Sequence, residues 1–123
     1  MKRVELADMT TQNLVDLFAK ICRAQDDALL GREIARFNRL YDQMDNVAND
    51  LKTRPGDQRL ALMALYEFPN MQVRLQAAKR TLAVAPDEAR RMLEEIAESK
   101  WYPQAGDAGM SLSNLDGGIF KPT

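Results

Sequence analysis

The stretch Leu60-Ala61-Leu62-Met63-Ala64-Leu65-Tyr66-Glu67-Phe68-Pro69-Asn70-Met71-Gln72-Val73-Arg74-Leu75-Gln76-Ala77-Ala78-Lys79-Arg80-Thr81-Leu82 decides the fold class. Apolar side chains recur at three- and four-residue steps on both sides of Pro69-Asn70. Before the break they are Leu62, Leu65 and Tyr66, or Leu60 and Met63; after it they are Leu75, Ala78 and Leu82. The spacing predicts two helices, roughly Gln58 to Phe68 and Met71 to Val84. Proline bars the helical conformation of the residue before it, so Pro69 separates them.

Outward from this pair the same period continues. Upstream, Thr53-Arg54-Pro55-Gly56-Asp57 reads as a turn, with Asp57 as the cap of the helix near Gln58. A long helix precedes it, from near Asp27 to about Lys52, with the stripe Leu30, Ile34, Phe37, Tyr41, Met44, Ala48 and Leu51. The first helix starts at Thr10 or Thr11, carries Leu14, Leu17, Phe18, Ile21 and Cys22 on one face, and ends around Arg23 to Asp26. Downstream, Pro86 opens a fifth helix with Ala89, Leu93, Ile96 and Ala97, closing near Ser99. The expected fold is therefore all-α, about five helices in antiparallel hairpins, within one domain spanning 1–123. Residues 10–99 form the helical array. Residues 100–123 hold four of the six glycines and read as an irregular tail. Trp101, Tyr102, Met110, Leu112, Leu115, Ile119 and Phe120 are too apolar for a disordered segment, so the tail is expected to lie on the helices or to dock on a partner subunit.

Pro69, Val73, Arg74, Ala77, Ala78 and Leu82 stand where a HEAT-type repeat has its turn, its Val-Arg pair and its small packing residues. The block resembles one such repeat, and Pro86 to Ala97 resembles the first helix of the next. The resemblance implies a short armadillo/HEAT-like α-α superhelix, in which stacking buries faces that one hairpin leaves open. The chain is also similar to a bacterial family of small helical domains of unknown function. That likeness rests on Arg54-Pro55-Gly56-Asp57-Gln58-Arg59, on Val73 to Pro86, and on Pro103-Gln104-Ala105-Gly106-Asp107-Ala108-Gly109-Met110. It implies a HEAT-like fold and no particular activity; some relatives of such domains are suspected immunity proteins beside bacterial toxins.

Composition excludes more than it selects. The 123 residues carry 17 Lys+Arg against 18 Asp+Glu, no His and one Cys. Without imidazole there is no His-based general base, no Ser-His or Cys-His pair and no His metal ligand; one thiolate builds no zinc site. No cofactor or metal is expected. A single Cys also forms no internal disulfide, which fits a reducing compartment. The start, Met1-Lys2-Arg3-Val4-Glu5-Leu6-Ala7-Asp8, places acids where a signal peptide needs its apolar core. The apolar run Leu60 to Tyr66 is far short of the ~20 residues of a membrane span. A cytoplasmic protein without membrane contact is expected.

Charge order along the long helix is the one anomaly. Arg32, Arg36 and Arg39 lie toward its positive dipole end, and Asp42, Asp45 and Asp50 toward the negative one. Neighbouring helices, or an antiparallel second copy, should offset this, so a homodimer is one expectation. Asp42 and Asp45, with Asn46 and Asn49 nearby, also have the spacing of oxygen ligands for a divalent cation, a pattern that solvated helix faces show routinely. Arg74 is expected to order helix packing, and Cys22 to be a core residue. Residues 55–85 carry four cations against two acids, too few beside the acidic 86–123 to favour nucleic acid.

The sequence thus points to a non-enzymatic protein–protein interaction module, with Arg32, Arg36, Arg39, Asp42, Asp45, Trp101 and Tyr102 as the candidate surface and another protein as partner. A HEAT-like nucleic-acid-binding protein is the alternative, and a carboxylate- or metal-dependent enzyme the third.

Overall fold

The computed structural model describes residues 5–123. Its elements are a 3₁₀ turn Leu6–Asp8, α1 Thr11–Leu30, α2 Ile34–Thr53, a 3₁₀ segment Gln58–Glu67, α3 Met71–Thr81, α4 Pro86–Glu98 and α5 Gln104–Asp116. The described chain is all-helical, with no strand among those residues. Two compact units, Met1–Ala61 and Leu62–Thr123, divide it.

In the first unit the Thr10 hydroxyl accepts the Asn13 amide at 3.0 Å and caps α1. That helix buries Leu14, Phe18, Ile21 and Cys22, as its spacing predicts, and packs along α2, which buries Met44, Val47, Ala48 and Leu51. The boundary between the two helices differs from expectation. Helix α1 runs on to Leu30, and α2 begins at Ile34 rather than near Asp27. The physical reason lies in Gly31-Arg32-Glu33. Amides of Gly31 and Glu33 close onto the Asp27 and Ala28 carbonyls at 3.0 and 2.8 Å, while Arg32 adopts a left-handed φ of 55°, which no continuing helix tolerates. The apolar stripe is thereby cut. Met44, Ala48 and Leu51 are buried, whereas Leu30 and Ile34 stand on either side of the turn, 78% and 74% exposed.

Residues 58–67 form a 3₁₀ rather than an α-helix. Their apolar spacing is three throughout, Leu62-Leu65-Phe68 and Leu60-Met63-Tyr66, and a helix with three residues per turn stacks such residues into straight ridges. Leu62 and Leu65 are the buried ridge.

In the second unit Asn70 caps α3, its side-chain oxygen accepting the Gln72 and Val73 amides at 2.9 and 3.2 Å. Pro86 occupies the first turn of α4, where its missing N–H costs nothing. Leu75, Ala78 and Leu82 of α3 and the following turn pack with Ala89, Leu93 and Ile96 of α4 in one core, as expected. Residues 100–123 are not an irregular tail. Gln104–Asp116 form α5, which contributes Ala108 to that core and packs Leu112 and Leu115 against it. Each of Gly106 and Gly109 weakens a helix by about 1 kcal/mol relative to Ala, so burial of the apolar side rather than propensity holds α5. The Gln104 amide donates to Gln72 Oε1 at 3.0 Å inside the unit, tying α5 to α3.

Candidate functional site

Most of the polar motifs singled out by the sequence are consumed by the fold. Arg54 is a clamp: its Nε donates to Asp50 at 2.9 Å and its Nη2 to the Leu6 and Met9 carbonyls at 3.0 and 2.7 Å. Asp57, at a left-handed φ of 50°, accepts two hydrogen bonds from the Arg59 guanidinium at 2.8 and 2.6 Å. These bonds hold the Asp57 carboxyl below its ordinary range and push the Arg59 guanidinium up. Arg74 donates to the Phe68 carbonyl and so orders the turn before α3, where an ordering of helix packing was expected. Burial raises the Tyr66 hydroxyl, opposed by its hydrogen bond to Thr81. Cys22 is fully buried with its thiol on Met44 Sδ at 3.6 Å, and the Gln25 amide reaches the same sulfur at 3.4 Å.

The reversed charges of α2 are offset within the chain at both ends. Arg36 pairs with Glu33 at 3.4 Å, and Asp50 with Arg54 at 2.9 Å. At roughly 100° per residue, Arg39, Gln43, Asn46 and Asp50 share one side of α2, while Ile34, Phe37 and Tyr41 share another. The second side is bordered by Asp42, which is exposed, and Asp45, which is half-buried. Phe37 and Tyr41 form a tilted ring pair with centroids 6.4 Å apart. Leu30 and Ile34, exposed on either side of the turn, leave apolar groups at the tip of the α1–α2 hairpin, where the expected long helix would have carried them on one continuous stripe. The signal that could have located the turn is Gly31, the one glycine between two long periodic segments.

Among the described residues no group of three or more His, Cys, Asp or Glu side chains converges. Gln43, Asn46 and Asp50 instead line an open cleft of about 660 Å³ whose apolar lining is Leu6, Leu17, Ile21 and Val47.

In the second unit Trp101 and Tyr102 are exposed, so the segment is anchored by Ala105, Ala108, Leu112 and Leu115 rather than by its aromatics. Arg90 on α4 grips Asp116 with two bonds of 2.8 and 2.9 Å, raising the guanidinium and lowering the carboxyl from their ordinary values. Among the described residues no helix is long and apolar enough to cross a membrane.

Helical hairpins with internally paired charges and apolar groups left at their margins define a class of small all-α domain. The chain belongs to the family described as a domain of unknown function, DUF2019, matched over residues 12–116. It is similar to the protein RPA1889 from Rhodopseudomonas palustris CGA009, with 64% identity and a TM-score of 0.95 to its crystal structure, over 98% of this chain and 100% of that one. No curated protein matches the sequence.

Proposed function

We propose that this chain is a non-enzymatic protein-binding module whose partner seats on the tip of the α1–α2 hairpin. The observation that carries the reading is the exposure of Leu30 and Ile34 beside the Phe37–Tyr41 ring pair. Contiguous apolar side chains left in water mark interaction sites, and aromatic groups at the centre of such patches dominate binding energy. The engagement of Arg54, Arg59, Arg74 and Arg90 in structural ties supports a binding role over a chemical one. Asp42 and Asp45 border the apolar side of α2, so the fitting partner has an apolar centre with basic groups at its edge; Arg32 at the turn favours an acidic neighbour beyond it. Toxin neutralisation in the manner of immunity proteins is one instance of this class. Stacking of α3 and α4 on the Val73-Arg74 block in a HEAT-like manner would give the second unit a repeat-type surface of its own.

A photo-crosslinking residue at position 34, with position 13 on the exposed side of α1 as control, tests the reading in cells that make the protein. One discrete protein adduct from position 34, absent from position 13 and lost in the Tyr41→Asp background, is expected. Equal labelling from both positions, or none from position 34, overturns it.

A further inference from the structure

We propose that α5 is the contact face of a two-fold dimer in which two copies of this chain lie antiparallel about Met110. The inference uses a surface separate from the hairpin tip and stands without the function proposed above. Five large apolar side chains in residues 62–123 are left in water: Trp101 at 63%, Tyr102 at 69%, Met110 at 67%, Ile119 at 80% and Phe120 at 47% exposure. All lie on α5 or immediately beside its two ends. With 3.6 residues per turn, Gly106, Met110, Ser113 and Gly117 form one stripe, and Tyr102 lies over its first turn, its ring 3.8 Å from where a Gly106 Cβ would stand. The stripe is Met110 between small residues, which lets a second helix approach closely.

The arrangement is self-complementary. Met110 stands midway between the aromatic pair and the C-terminal apolar pair, with Trp101 nine residues before it and Ile119 nine residues after it. An antiparallel copy therefore sets Met110 on Met110 and brings Trp101 and Tyr102 of each chain to Ile119 and Phe120 of the other. The backbone supports the second half of this contact. Amides of Ile119 and Phe120 both donate to the Asn114 carbonyl, at 3.0 and 3.1 Å, which turns the chain back at the end of α5 and holds the pair there. Isologous contacts need this property, one patch that matches itself under rotation. The area agrees: an aromatic side chain covers roughly 150–250 Å² when fully buried, so these five groups at their observed exposures offer on the order of 500 Å² per copy. Doubled, that approaches the ~1,200 Å² at which standard-sized interfaces begin, the range of weak, reversible contacts.

Glycine at position 106 is not required by the chain's own packing, since an added Cβ there meets only ordinary contact with Tyr102. In the dimer it is required, because a methyl group would separate the helices.

Sedimentation equilibrium of the full chain from about 1 to 500 μM tests the proposal, together with the emission of Trp101, the one Trp. A monomer–dimer equilibrium is expected, with Trp101 emission moving to shorter wavelength as the dimer fills. Met110→Arg should weaken the dimer at least 30-fold without lowering the melting temperature, Ile119→Asp should act likewise, and Gly106→Ala should raise the melting temperature of the dilute protein while weakening the dimer. Met110→Cys should yield a covalent dimer on mild oxidation, Cys22 being buried. A monomer at 500 μM overturns the proposal. So does a dimer indifferent to Met110→Arg and Ile119→Asp, which would place the contact elsewhere.

Discussion

Single residues carry more of this fold than their surface positions suggest. Arg54 joins the end of α2 to the start of the described chain through four acceptors, two of them main-chain carbonyls. Hydrogen bonds from a charged donor contribute about 1.5–3 kcal/mol each in sheltered settings, less where water reaches them. With Arg54 and Asp50 about one-fifth exposed, Arg54→Met should lower stability by about 2 kcal/mol in urea unfolding. Arg54→Lys should recover little, since an ammonium lacks the planar fork that reaches four acceptors. Asp57 supplies a pH signature. Its carboxyl is held low in the folded chain by the Arg59 hydrogen bonds, so the unfolded chain binds the extra proton. The contribution is complete above the ordinary carboxylate value of about 3.9 and is lost as pH falls through the depressed folded value. Asp57→Asn, which tolerates the left-handed φ of 50°, should lower stability at pH 7 and flatten the fall between pH 5 and pH 2. A parallel acid limb in the two proteins would show that Arg59 does not hold this carboxyl.

At the scale of elements, burial decided what spacing left open. The stripe Leu75, Ala78, Leu82 and the stripe Ala89, Leu93, Ile96 were legible because both match a 3.6-residue period, and both are core. Ala78 is fully buried among them, so Ala78→Asp should remove at least 3 kcal/mol of stability and uncouple α3 from α4; an unchanged melting temperature would show the core to be misassigned. The break at Gly31 was marked in the sequence by that glycine alone, because Leu30, Ile34 and Phe37 keep helical spacing across it and only one left-handed residue interrupts them. That residue is Arg32, which has a Cβ where glycine would be relaxed. Arg32→Gly should therefore stabilise the hairpin by about 0.5–1 kcal/mol, the strain released exceeding the added chain entropy. Helix α5 was hidden for the opposite reason. Gly106 and Gly109 lower its propensity, and what holds it is contact of Ala108, Leu112 and Leu115 with residues distant in sequence, which no local pattern records. The exposure of Leu30 and Ile34 could not be read from their spacing, since exposure depends on where a neighbouring helix stops.

Over the whole molecule the charges nearly cancel, with a net charge of −1 and a sequence pI of about 5.5, so association with a polyanion must rest on a local cluster. One set of three cations, Arg32, Arg36 and Arg39, lies around the start of α2. Arg36 already pairs with Glu33 at 3.4 Å, and Asp42 and Asp45 follow within two turns. Such a cluster contacts at most about three phosphates. Counterion release then gives a salt slope no steeper than about −2.7, and affinity falls roughly 40-fold between 50 and 200 mM salt from an already weak starting point. Titration of duplex DNA against the protein should show marginal binding at 50 mM salt and none at 200 mM, with Arg32→Glu and Arg39→Glu removing what remains. Dedicated nucleic-acid binders contact six to ten phosphates and show slopes two to three times steeper. A slope of that size would mean that cations beyond this cluster, with those engaged in folding such as Arg54, Arg59 and Arg90 among the candidates, also meet phosphate. Their variants, silent on DNA if the protein-binding reading holds, would then lose affinity in step with stability.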